Sequence, residues 1–251
     1  MNLTEQAKAN YEKAFKGAAG FGIEETDPEF AERIVNFAFD EVANHGNLPE
    51  DIRYMAILAT LLGCQGIELF KEMVPAALNC GVSPVQVKEI VYQATAYLGL
   101  GRTYEFVKAV NDIFKAKGIA LPLEGQSQTT MEDRLQKGNQ VQINYFGEGI
   151  RESWKKGEPS ISHINYWLAD NCFGDYYTRT GLDDRQREMI TFCFIAAQGG
   201  CEPQLIAHAK ANMGLGNSKE FLIEVISQCI PYIGYPRSLN ANAAVNKACE
   251  N

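Results

Sequence analysis

Two stretches of the chain, Arg53 to Leu62 and Arg187 to Ala197, are apolar nearly all the way round a helical projection. A helix without a polar face belongs inside a bundle, so each predicts a buried central helix. Gly63 and Gly199 follow them and read as helix stops. After the second stretch, Cys201-Glu202-Pro203 restarts a helix, because proline is tolerated in a first turn and an acidic side chain complements the N-terminal dipole. Further on, Gly81-Val82-Ser83-Pro84 and Gly216-Asn217-Ser218 each offer a serine N-cap. Apolar residues then recur at helical spacing: Val87, Ile90, Val91 and Ala94, and again Leu222, Val225, Ile226 and Cys229. Sustained period-two alternation is missing, so strands are not expected and the fold class is all-α.

These paired elements are copies. With an offset of 135 residues, Gly81 falls on Gly216, Glu89 on Glu224, Gln93 on Gln228, Tyr97 on Tyr232, Gly99 on Gly234, Arg102 on Arg237 and Asn111 on Asn246. Upstream the offset becomes 134, so Arg53-Tyr54-Met55 lies over Arg187-Glu188-Met189, and one residue is inserted near Gly199-Gly200. A repeat of this length predicts two tandem helical units. Their bounds are read as 1–116 and 139–251, with a linker over 117–138 marked by Gly118, Pro122, Gly125 and the polar run Gln126 to Thr129. A lead-in to the second unit, 132–166, mixes helix-like stretches with breakers at Gly147, Gly149, Gly157 and Pro159. Its aromatic residues Tyr145, Phe146, Trp154 and Tyr166, with Trp167 beside them, are read as core cover rather than ligand contacts.

Composition narrows the function. A formal charge of -8 argues against phosphate backbones and anionic surfaces, so nucleic acid and membrane partners are not expected. Met1 to Gln6 has neither a basic stretch nor an apolar run, and the expectation is a soluble, cytoplasmic protein. Seven cysteines, an odd number with no CxxC spacing, read as reduced thiols. Zinc spacing, a P-loop and a dinucleotide fingerprint are all missing, so no metal or cofactor is implied.

Three histidines can carry acid-base chemistry. His45 lies at a helix end and His163 at a helix start, where neither position asks for catalysis. His208 differs, because its surroundings repeat while it does not. Glu188 and His208 lie at similar heights above the loop of one helical hairpin, and a carboxylate that orients and charges an imidazole is an acid-base device. Cys201 and Gln204 share the face of His208. In the first unit Tyr54 and Met73 hold the positions of Glu188 and His208, so at most one unit works by this chemistry. The alternative is a buried hydrogen bond serving stability alone.

Tyr177-Thr178-Arg179-Thr180-Gly181-Leu182-Asp183, Arg187-Glu188-Met189-Ile190, Gln204-Leu205-Ile206-Ala207-His208 and Tyr232-Ile233-Gly234-Tyr235-Pro236-Arg237 resemble, in order and spacing, the carboxymuconolactone decarboxylase family. The likeness covers about residues 130–248 well and 30–115 more weakly. It implies two alkylhydroperoxidase D-like helical units and, for a fused pair, a homotrimer. The alkylhydroperoxidase D-like branch uses a CxxC pair. Here Cys201 matches the first thiol but Gln204 stands in the second place, which leaves a thiol-dependent redox protein as an alternative resting on Cys201 alone. The decarboxylase branch implies a cofactor-free lyase acting on a small carboxylated lactone or keto acid, with His208 as proton donor and Glu188 as its partner. A non-catalytic binding subunit is the third reading. Arg185, Arg187 and Arg237, with Gln204, are the candidates for holding the substrate anion. Arg237 is the weakest of these, because its counterpart Arg102 persists in the unit without the pair.

Overall fold

The structure, a computed structural model, describes residues 1–16 and 20–250 and contains helices and no strands among them. In chain order the helices are α1 (Glu5–Phe15), α2 (Pro28–Asn36), α3 (Glu50–Gly63), α4 (Ile67–Asn79), α5 (Pro84–Leu98), α6 (Leu100–Ala116), α7 (Arg134–Phe146), α8 (Ser162–Trp167), α9 (Asp184–Gln198), α10 (Glu202–Gly214) and α11 (Lys219–Ala248). The repeat can be read element by element. α2 and α8 begin 134 residues apart, as do α3 and α9, while α4 and α10 begin 135 apart. Gly99, which separates α5 from α6, has φ 79°, and Gly234, which breaks α11 at the matching position, has φ 74°. Only glycine enters this region without strain, and the two glycines set the same corner in both units. A wide π-type turn follows α2 at Phe37–Glu41, and a longer one follows α8 at Leu168–Tyr177.

The caps follow the sequence. Ser83 accepts from the Gln86 amide while Gln86 returns a bond to the Ser83 N–H, and Asp183 and Gln186 do the same at the start of α9. Ser218 caps α11 through the Phe221 amide. α10 begins at Glu202 with proline in its first turn.

The two apolar helices α3 and α9 pack against each other and share one core. Met55, Leu58, Leu61 and Leu62 of the first unit are buried with Met189, Ile190, Cys193 and Phe194 of the second. Gly63 explains how closely they approach. A Cβ there would stand 2.6 Å from the Phe194 carbonyl oxygen and 2.7 Å from the Ala197 Cβ. Gly63 is therefore the last residue of α3 and a packing contact; Gln65, with φ 63°, makes the left-handed turn that follows. The expected linker also differs in its last part. α7 starts at Arg134, and Gly138 is buried where α7 crosses the π-type segment, with a Cβ on it 2.1 Å from the Ala169 oxygen. Its glycine marks close packing, which composition alone does not distinguish from flexibility.

Ion pairs bind the units as well. Arg187 is 1% exposed and donates to Glu89 at 3.1 Å, to Gln93 and to the carbonyls of Arg179 and Thr180. Arg179 grips the same Glu89 through Nε and Nη2. Burial draws the Arg187 guanidinium below its ordinary value, and the Glu89 carboxylate beside it opposes that shift. None of the described helices is long and apolar enough to cross a membrane.

Candidate active site

The hairpin of α9 and α10 brings the sequence-selected pair together. Glu188 is fully buried, and its Oε2 lies 2.8 Å from His208 Nδ1. When ionised, a carboxylate can only accept, and a ring paired with it in this way donates from Nδ1–H and has Nε2 left over for a substrate. The other carboxylate oxygen accepts from Tyr177 Oη at 3.0 Å, and that hydroxyl also meets Thr191 at 2.8 Å and Tyr97. Burial holds the hydroxyls of Tyr97 and Tyr177 well above the ordinary phenol value, so both stay protonated; Tyr177 donates to Glu188, and Tyr97 meets Tyr177 rather than the carboxylate.

Asn212, one helical turn after His208, fixes the height of the two helices. Its Nδ2 donates to the carbonyls of both Glu188 and His208 at 2.9 Å. Asn217 donates to Asn212 Oδ1 and to the Arg185 carbonyl, and accepts from Arg185 Nε. The first unit has Ala77 and Val82 in the places of Asn212 and Asn217, besides Tyr54 and Met73. The whole polar ladder is absent there, not the reacting pair alone.

His208 forms part of the wall of a cavity of about 410 Å³. Cys201, Gln204 and Ala207 of α10 and Ile195 and Gln198 of α9 supply one side. Gln142, Phe146 and Ile150 line another, and Leu168, Cys172 and Phe173 come from the π-type segment. Tyr97, from α5 of the first unit, completes it. The His208 ring is fixed edge-on by Phe146 at 5.6 Å and Tyr97 at 5.5 Å between centroids. Phe146 therefore borders the cavity as well as the core, which corrects its reading as cover alone; Trp154 and Tyr166 pack on each other away from His208.

A related cavity of about 550 Å³ lies in the first unit. Leu69, Glu72, Pro231 and Tyr232 line it, and these match Gln204, Ala207, Ala96 and Tyr97 of the first cavity through the offset of 135. Each cavity thus takes one aromatic residue from the other unit. At the position of His208, however, Met73 is fully buried.

The three arginines fall elsewhere. Arg185 is tied to Asn217, and Arg187 is consumed by Glu89, Gln93 and two carbonyls. Arg237 donates to the Ala197 carbonyl at the end of α9, where its counterpart Arg102 binds the side chain of the next residue, Gln198. None of the three lines the His208 cavity, nor does any other arginine or lysine among the described residues. Their assignment to the substrate anion is thereby corrected: each guanidinium already satisfies groups that position the hairpin. Gln204 and Cys201 do line the cavity, and Gln198 donates to Cys201 Sγ at 3.1 Å. His45 and His163 are exposed, the latter against Trp167. Sequence reasoning passed over Tyr97, Gln142, Tyr177, Asn212 and Asn217. Asn212 and Asn217 carried a usable signal, because the repeat replaces each by an apolar residue.

Comparison with known proteins agrees with this architecture. The chain is 28% identical over 120 residues to 4-carboxymuconolactone decarboxylase of Acinetobacter baylyi, an alignment that covers 47% of this chain and 87% of the relative. A crystal structure from Burkholderia xenovorans LB400, provisionally described as a γ-carboxymuconolactone decarboxylase subunit, superposes with a TM-score of 0.53. It is 17% identical and covers 97% of this chain and 96% of its own, a likeness of fold. The profile of the carboxymuconolactone decarboxylase family matches twice, over residues 28–112 and 164–247, which together make up more than half of the chain. With two matches in the order the repeat demands, the chain belongs to the carboxymuconolactone decarboxylase family.

Proposed function

We propose that this protein is a cofactor-free carboxy-lyase whose single working site is the His208 cavity, and whose substrate is a small carboxylated lactone or keto acid. The observation that carries this reading is the buried carboxylate–imidazole pair, 2.8 Å apart, with the imidazole on the wall of an apolar cavity. Glu188 holds Nδ1 protonated and stabilises the imidazolium, so Nε2–H can point at a substrate. With no lysine or arginine among the described residues of the lining, the substrate carboxylate meets the imidazolium and side-chain amides such as Gln142 and Gln204. Loss of the carboxylate as neutral CO2 is driven by spreading the charge left behind over a conjugated carbonyl, where the same donors can follow it. The C–C bond breaks, its electron pair passes into that dienolate, and the Nε2 proton is delivered to carbon. Amide donors stabilise the developing oxyanion. Water restores the proton to His208.

A non-catalytic pair would need no cavity beside it, and a cavity is present. The redox alternative is weaker. Cys172 is the other cysteine on this wall among the described residues, and burial pushes its thiol up to about 12, so it makes a poor resolving thiolate. On this reading the protein assembles as a homotrimer, the state that the family resemblance implies. Leu100 and Tyr104 are exposed on α6, and Tyr235 and Leu239 are exposed at the repeat-equivalent positions of α11.

Incubation with 4-carboxymuconolactone, followed by CO2 release, tests the reading. The wild-type protein is expected to turn it over, and His208→Ala and Glu188→Gln to lose about a hundredfold or more in kcat with their helical content intact. Cys201→Ser should retain activity. Turnover that survives both substitutions, or disappears only with Cys201, would remove the acid-base assignment. No CO2 release by the wild type would remove the lactone acid.

A further inference from the structure

A third cavity, of about 400 Å³, shares no lining residue with the His208 cavity and is built from different chemistry. It is roofed by the connecting segment Leu121–Gln126 and floored by α5 and α6. The side chain at its heart is Lys88, which is only 6% exposed. Its ammonium donates to Asn111 Oδ1 and lies over the rings of Tyr92 at 5.7 Å and Phe114 at 5.8 Å. Among the described residues it forms no ion pair. The adjacent carboxylate, Glu89, is already shared between Arg179 and Arg187, and the other acid of the lining, Glu124, is exposed on the roof.

A buried ammonium costs free energy unless it is paired, and two aromatic faces and one amide oxygen offset only part of that cost. The surroundings make the deficit larger. Arg179 lines the same cavity, with its Nη1 not used on Glu89, and Lys115 stands at the rim. The cavity is thus cationic in a chain whose formal charge is -8, whereas the His208 cavity has, among the described residues, no basic side chain except the imidazole. Its remaining walls, Val85, Val107, Leu121, Pro122 and Leu123, are apolar. The repeat shows that this is not inherited architecture. Lys88, Tyr92 and Lys115 correspond to Ile223, Ser227 and Glu250 in the second unit, so the charged group belongs to the first unit alone.

We propose that the Lys88 cavity is a second ligand site, for a small monocarboxylate with a planar or branched apolar body. The carboxylate pairs with Lys88 Nζ and takes further hydrogen bonds from Asn111 Nδ2 and Arg179 Nη1, while the body lies between Tyr92 and the apolar roof. Burial lowers the Lys88 amine below the ordinary lysine value, and an arriving carboxylate reverses that shift. The volume suits a ligand of roughly a dozen heavy atoms, in the lower range of small-molecule sites. The site also touches the ion pairs that tie the units together. Thr180 binds the roof through Gln126, Arg179 shares Glu89 with Arg187, and Arg187 precedes Glu188 in α9.

Isothermal titration calorimetry with benzoate and its neutral isostere benzamide tests the site. Benzoate is expected to bind saturably to the wild-type protein, and benzamide at least about tenfold more weakly, the contribution of one charged hydrogen bond. Lys88→Met should weaken benzoate by a similar factor, while His208→Ala leaves that binding event in place. Lys88→Gln is measured in parallel, because it keeps a polar partner for Asn111; both variants are compared with the wild type by circular dichroism and melting temperature. The proposal is overturned by any of four results: no saturable benzoate heat, equal binding of benzamide, undiminished binding in folded Lys88 variants, or loss of the whole signal in His208→Ala.

Discussion

Asn212 does for Glu188 and His208 what neither can do alone: it ties both backbones, through two bonds of 2.9 Å, to a single planar amide. Removing it takes one partner from two helix carbonyls and from Asn217, whose amide keeps the Arg185 carbonyl, so the loss is on the order of a single unsatisfied group, about 1–3 kcal/mol. Asn212→Ala installs what the first unit carries at Ala77. It is expected to lower unfolding stability by about 2 kcal/mol. It should also reduce kcat more than it changes KM, because Nε2 would no longer be held at one height. An unchanged kcat in urea-titrated, folded protein would make Asn212 a stability residue only. Glu188 and His208 were legible because helical rise and a hairpin fix their heights, and because the repeat lacks them. The arginines misled, since charge in a motif says nothing of which carbonyls lie near it in space. Arg187 is the clearest case: its partners Glu89 and Gln93 are more than ninety residues away.

The helices themselves were legible wherever apolar periodicity was strong. α3, α5, α9, α10 and the first half of α11 correspond to stretches that the pattern and caps define. What periodicity could not show was the partner of each face. Gly138 and Gly174 illustrate this. A Cβ on Gly174 would stand 2.4 Å from the Arg134 oxygen, so α7 and the π-type segment touch through bare backbone. Both elements supply the cavity wall, α7 through Gln142 and Phe146 and the segment through Cys172 and Phe173. Overpacking at such a crossing costs about 1–3 kcal/mol. Gly138→Ala is therefore expected to destabilise the protein by that amount and to raise KM for the cavity's substrate, with Glu188 and His208 still paired. Denaturant unfolding and steady-state kinetics measure the two effects. Loss of stability without a change in KM would mean that the crossing yields without moving the wall. In the sequence Gly138 merely closes the linker read over 117–138, and a glycine looks the same whether it ends a linker or serves a tight crossing.

At the scale of the molecule, the repeat makes one chain resemble a dimer, with α3 and α9 packed in a shared core and one related cavity in each unit. Such a chain presents its surface features twice. Leu100 and Tyr104, one turn apart on α6, are 62% and 57% exposed; Tyr235 and Leu239 on α11 are 62% and 65% exposed. Exposed apolar side chains scattered singly need no explanation, but the same pair kept at both repeat positions does. The neighbouring arginines Arg102 and Arg237 bind the end of α9 in both cases, so these surfaces are rigidly placed. Two like patches on one chain can each meet the other patch of a neighbour, and a ring closes when the rotation between them permits it. Light scattering of the purified protein is expected to give three times the chain mass of 27.8 kDa. Replacing Tyr235 and Leu239 together by glutamate leaves one patch without its counterpart, so the ring should open and the mass fall toward that of one chain, with the melting temperature of each protomer's core little changed. A wild-type protein that stays monomeric at micromolar concentration, or a double variant that stays trimeric, would show that these four side chains face water for another reason.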